Sequence, residues 1–200
     1  MAGSMVVISG PSGCGKSSLI QKILQEDKDI YFSISTTTRQ KRDQEIDGKD
    51  YFFITEEEFE NGIKNHEFLE WAKVHQNYYG TSLKQIQNAL DQNKLVLFDI
   101  DVQGHKNIKK IFPDICISVF IITPTKEELK KRLLKRQTDS IKHIQTRLQN
   151  AQQEIKEATN YDFFLINDDF EETFKKFKKI IEVAKLKKSK KEIENFIKKW

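Results

Sequence analysis

Gly10-Pro11-Ser12-Gly13-Cys14-Gly15-Lys16-Ser17 is the stretch on which the fold turns. It follows the pattern G-x-x-x-x-G-K-[ST]. It lies between a β-branched run at residues 5–9 and a helical pattern at residues 17–25. Strand, glycine-rich turn and helix in that order make a phosphate loop. The glycines let backbone N–H groups turn inward around phosphate oxygens. The helix adds the positive end of its dipole. Lys16 is placed to neutralise β- and γ-phosphates, and Ser17 to help hold Mg²⁺. The competing reading is an ordinary glycine-rich strand–helix turn, which would not need Lys and Ser in this register. Cys14 sits beside Lys16 at a helix start, a setting that favours a thiolate; alternatively it is a small residue whose backbone alone matters.

Outward from the loop, strands and helices alternate. Leu19, Ile20, Ile23 and Leu24 recur with helical spacing, and residues 31–35 read as a short strand. Residues 95–100 and 115–122 are nearly unbroken apolar runs, which suit central parallel strands buried on both faces. Thr125 and Glu128 cap a Lys/Arg-rich helix, and Ser140 begins a longer one to about Ala158. Residues 163–166 are a last strand, and residues 170–186 are amphipathic. The expectation is an α/β fold with a five-stranded parallel sheet and helices on both faces.

Between residues 35 and 83 the rhythm changes. A polar loop at 39–50 contains the turn pair Asp47-Gly48, and residues 51–54 read as a strand. Thr55 and Glu58 have capping-box spacing before a short helix, as do Ser82 and Gln85 before a helix to about Gln92. Residues 68–74 are a further strand. This segment reads as a small mixed α/β insertion with its own task.

The formal net charge of +4 invites a nucleic-acid reading, but its distribution argues otherwise. Residues 171–200 hold 11 Lys against 5 Glu, so the remainder is net acidic. Residues 51–100 carry 4 basic and 8 acidic side chains. Two cysteines suit a reducing cytosol better than a disulfide scaffold. No apolar run reaches the length of a membrane span, and no signal peptide is evident. The expected setting is cytoplasmic, with neither membrane nor nucleic acid as partner. Met1-Ala2-Gly3-Ser4 before a second methionine reads as an expression scar. His66, His75, His105 and His143 are scattered and read as surface or packing residues.

A series of motifs follows the loop in order: Ser35-Thr36-Thr37-Thr38-Arg39-Gln40-Lys41-Arg42, Gly48-Lys49-Asp50-Tyr51, Phe68-Leu69-Glu70-Trp71, Asn77-Tyr78-Tyr79-Gly80-Thr81 and Phe98-Asp99-Ile100-Asp101-Val102-Gln103-Gly104. Together they resemble the guanylate kinase family, from Gly10 to Ile166-Asn167-Asp168-Asp169. The resemblance implies a core of residues 5–34, 84–124 and 148–200, a GMP-binding insertion at 35–83 and a mobile lid at 125–147. It implies transfer of the ATP γ-phosphate to GMP, and to dGMP, within purine metabolism. ATP with Mg²⁺ would lie on Gly10, Pro11, Ser12, Gly13, Cys14, Gly15, Lys16, Ser17 and Ser18, with Asn167 reading adenine. Arg132, Arg136 and Arg147 match arginines that stabilise the migrating phosphoryl group. Gly80 falls within the acceptor motif.

Residue chemistry agrees. Arg39 and Arg42 can grip an acceptor phosphate bidentately. Tyr51 and Tyr79 can add phenolic donors. Glu70 suits the adjacent N1–H and N2 donors of guanine, Ser35 and Thr81 can reach O6 or N7, and Asp101 can support the amino group. Adenine would leave Glu70 unpaired, which is how a site discriminates strongly. Asp99 ends a buried strand at the crevice of a parallel sheet, where it can orient Mg²⁺-bound water or place the acceptor. Each residue taken alone has a plainer reading. The arginines can be a solvated pair, Glu70 a solvent-facing strand residue, Asp99 or Asp101 a helix cap, and Asn167 a strand end.

Two departures stand out. The family usually has Gly where this chain has Gln44, and Gly-Arg-Gly where it reads Lys135-Arg136-Gln137. Three other readings compete: a kinase for another monophosphate, a binding module of the same fold, and a nucleic-acid binder. Glu70 and Asp101 argue against AMP as the acceptor, the intact Gly15, Lys16 and Ser17 against a binding module, and the nucleic-acid reading rests on basic charge without aromatic or motif support. Residues 187–200 read as a terminal helix that packs Ile193, Phe196, Ile197 and Trp200 on the body or on another subunit, leaving a homo-oligomer open.

Overall fold

The computed structural model describes residues 3–74, 76–135 and 141–200. In chain order it contains β1 (Met5–Ser9), α1 (Lys16–Glu26), β2 (Ile30–Phe32), β3 (Thr36–Thr37), β4 (Phe52–Phe53), α2 (Glu56–Lys64), β5 (Phe68–Val74), β6 (Asn77–Ser82) and α3 (Leu83–Asp91). There follow β7 (Leu95–Asp99), α4 (Val102–Ile111), β8 (Cys116–Ile122), α5 (Lys126–Lys135), α6 (Ile141–Glu154), a 3-10 turn (Ile155–Asn160), β9 (Phe163–Ile166), α7 (Phe170–Lys185) and α8 (Lys190–Ile197).

The expected five-stranded parallel sheet is present, in the order β2-β7-β1-β8-β9. Alternation along β1 sends side chains to two cores. Val6 and Ile8 join Leu19, Ile23, Phe177 and Ile181 under α1 and α7. Met5 and Val7 join Ile86, Leu90, Phe98 and Ile108 under α3 and α4. Burial on both faces is why β1, β7 and β8 read as continuous apolar runs. A second sheet, β4-β3-β6-β5, is mixed: β3 pairs with β4 in parallel and with β6 antiparallel.

Several expectations are corrected. The strand read at 31–35 stops at Phe32, and that at 51–54 is only Phe52–Phe53. The long helix ends as an α-helix at Glu154 and continues as the 3-10 turn; its proposed start at Ser140 lies outside the described residues. β3, β6 and α4 were not anticipated as elements. Ser82 makes no side-chain cap to α3, and the Gln85 side chain, which would complete a capping box, instead accepts a 3.0 Å bond from the Tyr31 hydroxyl. The tail helix α8 forms, but its apolar stripe is not packed on the body: Ile193, Phe196, Ile197 and Trp200 are all exposed.

Candidate functional site

The phosphate loop joins β1 to α1 at the carboxyl end of the parallel sheet. Gly10 and Gly15 adopt φ of 143° and 100°, a region that side chains rarely enter. Neither has room for a Cβ: at Gly10 it would meet the Ile121 carbonyl oxygen at 2.0 Å, and at Gly15 the Asn167 amide at 2.2 Å. Lys16 folds back so that Nζ donates to the Gly10 carbonyl at 2.6 Å, with Asp99 Oδ1 3.8 Å away. Ser17 and Ser18 are exposed on the first turn of α1. Cys14, by contrast, is wholly buried. Burial pushes its thiol up, outweighing the lowering effect of Lys16, so the thiolate suggested by its position is not favoured.

One cleft of about 340 Å³ opens between the two sheets. It is lined by Ser35, Tyr51, Glu70, Tyr79, Gly80, Asp99 and Asp101 among others, and so collects seven of the predicted acceptor residues. Glu70 projects from β5, where burial raises its carboxyl. Thr81 Oγ1, from the paired strand β6, donates to Glu70 Oε1 at 2.8 Å and partly offsets that rise, while the charge of Asp101 adds to it. Thr81 is itself buried, so its hydroxyl serves Glu70. Asp101 also caps α4, accepting from Gly104 N at 2.8 Å. The plainer reading of Asp101 is thus realised while the residue still lines the cleft. Asp99 is half-buried at the end of β7, and its carboxyl is raised by burial and lowered again by Lys16.

Arg39 lies at the edge of this cleft. Nη2 donates to Glu45 Oε1 at 2.7 Å, and the guanidinium rests 5.4 Å and 5.6 Å from the ring centres of Tyr51 and Phe53. The other Glu45 oxygen accepts from the Arg42 backbone N–H at 2.9 Å. Glu45 therefore ties the two-arginine loop together and holds Arg39 in a fixed direction. Its carboxyl lies below the usual range because of the Arg39 bond first and the Arg42 N–H second. Sequence reasoning missed Glu45, although its spacing of six from Arg39 on a polar loop was visible. The Arg42 residue is exposed and meets Glu45 through its backbone N–H.

A second cleft, of about 350 Å³, lies beside the loop, lined by Gly13, Gly15, Ser18, Arg132, Lys135, Asn167, Asp168 and Phe170. Asn167 is buried after β9; Nδ2 donates to the Cys14 carbonyl at 2.7 Å, and Oδ1 has no hydrogen-bond partner among the described residues. Arg132, on α5, is held by Glu128 at 2.8 Å, one helical turn away. Arg147 reaches from α6 to donate to Ser12 Oγ. Arg136 and Gln137 lie outside the described residues.

Asp99 lines the first cleft and lies 3.8 Å from Lys16 of the phosphate loop, while Gly13, Gly15 and Ser18 bring the same loop and the start of α1 to the second, beside Arg132 and Lys135. Comparison with known proteins gives the family. The family model described as guanylate kinase matches residues 2–184. The guanylate kinase of Campylobacter jejuni strain RM1221 is 53% identical over 182 residues, covering 90% of this chain and 89% of the relative. That of Wolinella succinogenes is 47% identical over 198 residues, covering 99% and 92%. A crystal structure of guanylate kinase from Anaplasma phagocytophilum superposes with a TM-score of 0.75 at 32% identity, covering 93% of this chain and 88% of that one.

Proposed function

The chain belongs to the guanylate kinase family, and we propose that it transfers the γ-phosphate of ATP to GMP, and also to dGMP, giving ADP and GDP or dGDP. The observation that carries this reading is Glu70, a half-buried carboxylate lining a cleft that also holds Asp99, which lies 3.8 Å from Lys16 of the phosphate loop. On this reading residues 35–83 bind GMP, residues 125–147 close over ATP, and the reaction belongs to purine nucleotide metabolism in the cytoplasm.

The acceptor phosphate is already ionised and needs no general base. Catalysis is then positioning plus charge neutralisation. Arg39, aimed by Glu45, and Arg42 grip the acceptor phosphate, with Tyr51 and Tyr79 as further donors. Glu70 and Asp101 read the guanine N1–H and amino group. An acceptor oxygen attacks the γ-phosphorus in line. The bond from that phosphorus to the β–γ bridging oxygen breaks, and ADP leaves with its electron pair. Lys16 leaves the Gly10 carbonyl for the β- and γ-phosphates. Arg132 and Arg147 face the migrating group, and we assign Arg136 to the same task from its place in the motif.

Among the described residues, no three Asp, Glu, His or Cys side chains gather as a metal cage. We assign a Mg²⁺ ion to the nucleotide phosphates, with Ser17 and, through water, Asp99 as the residues that would hold it. Such an ion, when bound, neutralises charge on the transferred phosphoryl group.

A coupled ADP-release assay across GMP, dGMP, AMP, CMP and UMP tests the assignment. GMP and dGMP should be the preferred acceptors, and Lys16→Ala should abolish turnover while GMP binding stays measurable. A preference for AMP or a pyrimidine nucleotide would overturn it.

A further inference from the structure

Four buried side-chain polar atoms lack a hydrogen-bond partner among the described residues. One, Asn167 Oδ1, belongs to a residue that lines the second cleft. The other three are Ser9 Oγ, His105 Nε2 and the Tyr161 hydroxyl. Strand geometry and ring packing gather them at the root of the phosphate loop. Side chains alternate along β1, so Ser9 points to the α3–α4 face with Met5 and Val7. Phe120 of β8 is its neighbour in register and shares that face. The Tyr161 ring meets Phe120 edge-on at 5.2 Å and stacks on His105 of α4 at 3.9 Å.

The protonation states suit hydrogen bonding. Burial raises the Tyr161 phenol, and the nearby Ser9 hydroxyl offsets only part of that rise, so the phenol keeps its proton. Burial first, and Lys109 second, lower the His105 imidazole to about 4, so it is neutral at pH 7. Yet neither hydroxyl bonds the other, and the imidazole Nε2 bonds neither. Buried polar groups left unpaired are costly. An enclosed water is normally held by two to four such groups, and here there are three. The position gives the group a task. Ser9 directly precedes Gly10, whose carbonyl receives Lys16 Nζ at 2.6 Å. Whatever fixes Ser9 fixes the start of the loop.

We propose that Ser9, Tyr161 and His105 enclose one water molecule that ties the root of the phosphate loop to the segment leading into β9, which makes Tyr161 a positioning residue for the donor nucleotide. That last step rests on the loop binding the donor; the water itself does not. A high-resolution crystal structure of the full chain reads the water directly. One enclosed solvent peak is expected within hydrogen-bond reach of Ser9 Oγ and the Tyr161 hydroxyl. Tyr161→Phe keeps the ring between Phe120 and His105, and Ser9→Ala keeps the strand. Each should weaken Mg-ADP binding in a calorimetric titration about tenfold, because each unseats the same water. The double variant should lose no more than either single one. Affinity for GMP should be the same in all of them. The proposal fails if the site is dry, or if the two hydroxyls bond directly. It fails equally if both variants bind Mg-ADP as the wild type does, even where their melting points fall, since the group would then serve stability alone. Losses that multiply in the double variant would mean two separate effects and overturn it too. A wild-type chain that binds Mg-ADP but not GMP would sink the acceptor assignment, while the water and the Mg-ADP losses would still support this one.

Discussion

Glu70 is a carboxylate kept in a place that disfavours its charge. Burial raises it, and the single bond from Thr81 offsets only part of that rise. Guanine brings two N–H donors to the ionised form, so binding and ionisation reinforce one another. Glu70→Gln keeps the shape but presents an amide that can be read either way. Two weakened charge-assisted bonds are together worth about 3 kcal/mol, so kcat/KM for GMP should fall roughly a hundredfold. The sign of the pH effect follows as well. Protonated Glu70 sets a donor against donors, so the wild-type KM for GMP should rise as pH falls through the raised Glu70 value. In Glu70→Gln that limb should be missing; identical KM profiles would sink the base-reading role. The residues that line this cleft were legible because several motifs point to one chemistry at fixed spacings. Glu45 was not, since an acidic residue on a polar loop looks solvated until the fold of that loop brings it against Arg39 and the Arg42 N–H. Cys14 misleads in the opposite way: its charged neighbour is visible in sequence, its complete burial is not.

Two capping boxes with the same spacing separate local signal from tertiary outcome. At α2, Thr55 Oγ1 accepts from Glu58 N at 3.1 Å while Glu58 Oε2 accepts from Thr55 N at 2.7 Å. At α3, Ser82 is the last residue of β6, and Gln85 is taken by Tyr31. Thr55→Ala should therefore lower the unfolding free energy by about 1 kcal/mol. Ser82→Ala should stay within about 0.5 kcal/mol of wild type, as surface changes away from such features do. Denaturant titration of both variants checks the pair, and equal losses would contradict the assignment. Strands that were missed share a cause. β3 is two residues long, and β6 runs Asn77-Tyr78-Tyr79-Gly80-Thr81-Ser82, without the apolar alternation that marks a half-buried strand. β6 is specified by its partner β5, whose residues pair with it from Phe68 to Val74. α4 was hidden by Gly104, a weak helix former that sits close against Ile100.

Across the whole molecule, the parallel core was readable because burial on both faces writes itself as apolar runs. The order of its strands was not, since a crossover leaves no trace in the composition of the strands it joins. Nor does sequence show that Glu70 and Asp99, distant along the chain, line one cleft, or that Glu154 is half-buried. Glu70, Asp99 and Glu154 all have carboxyls raised by burial. Lys16 acts against that rise at Asp99 and Glu154 but not at Glu70. The site thus opposes folding in order to be ready for substrate, and the opposition depends on pH. For an acid whose folded value is raised, the penalty is full above that value. It is relieved as pH falls from there towards the ordinary 4.5. Glu70→Gln removes the ionisable group and so should melt above wild type at mildly alkaline pH, with the gap closing on acidification. Saturating GMP should reverse the order, because the wild type gains more from a ligand that binds it more tightly. Melting curves of both proteins across pH, with and without GMP, decide the matter. A gap that stays constant with pH would mean that the substitution acts through packing, and that ionisation of Glu70 does not set the stability of the cleft.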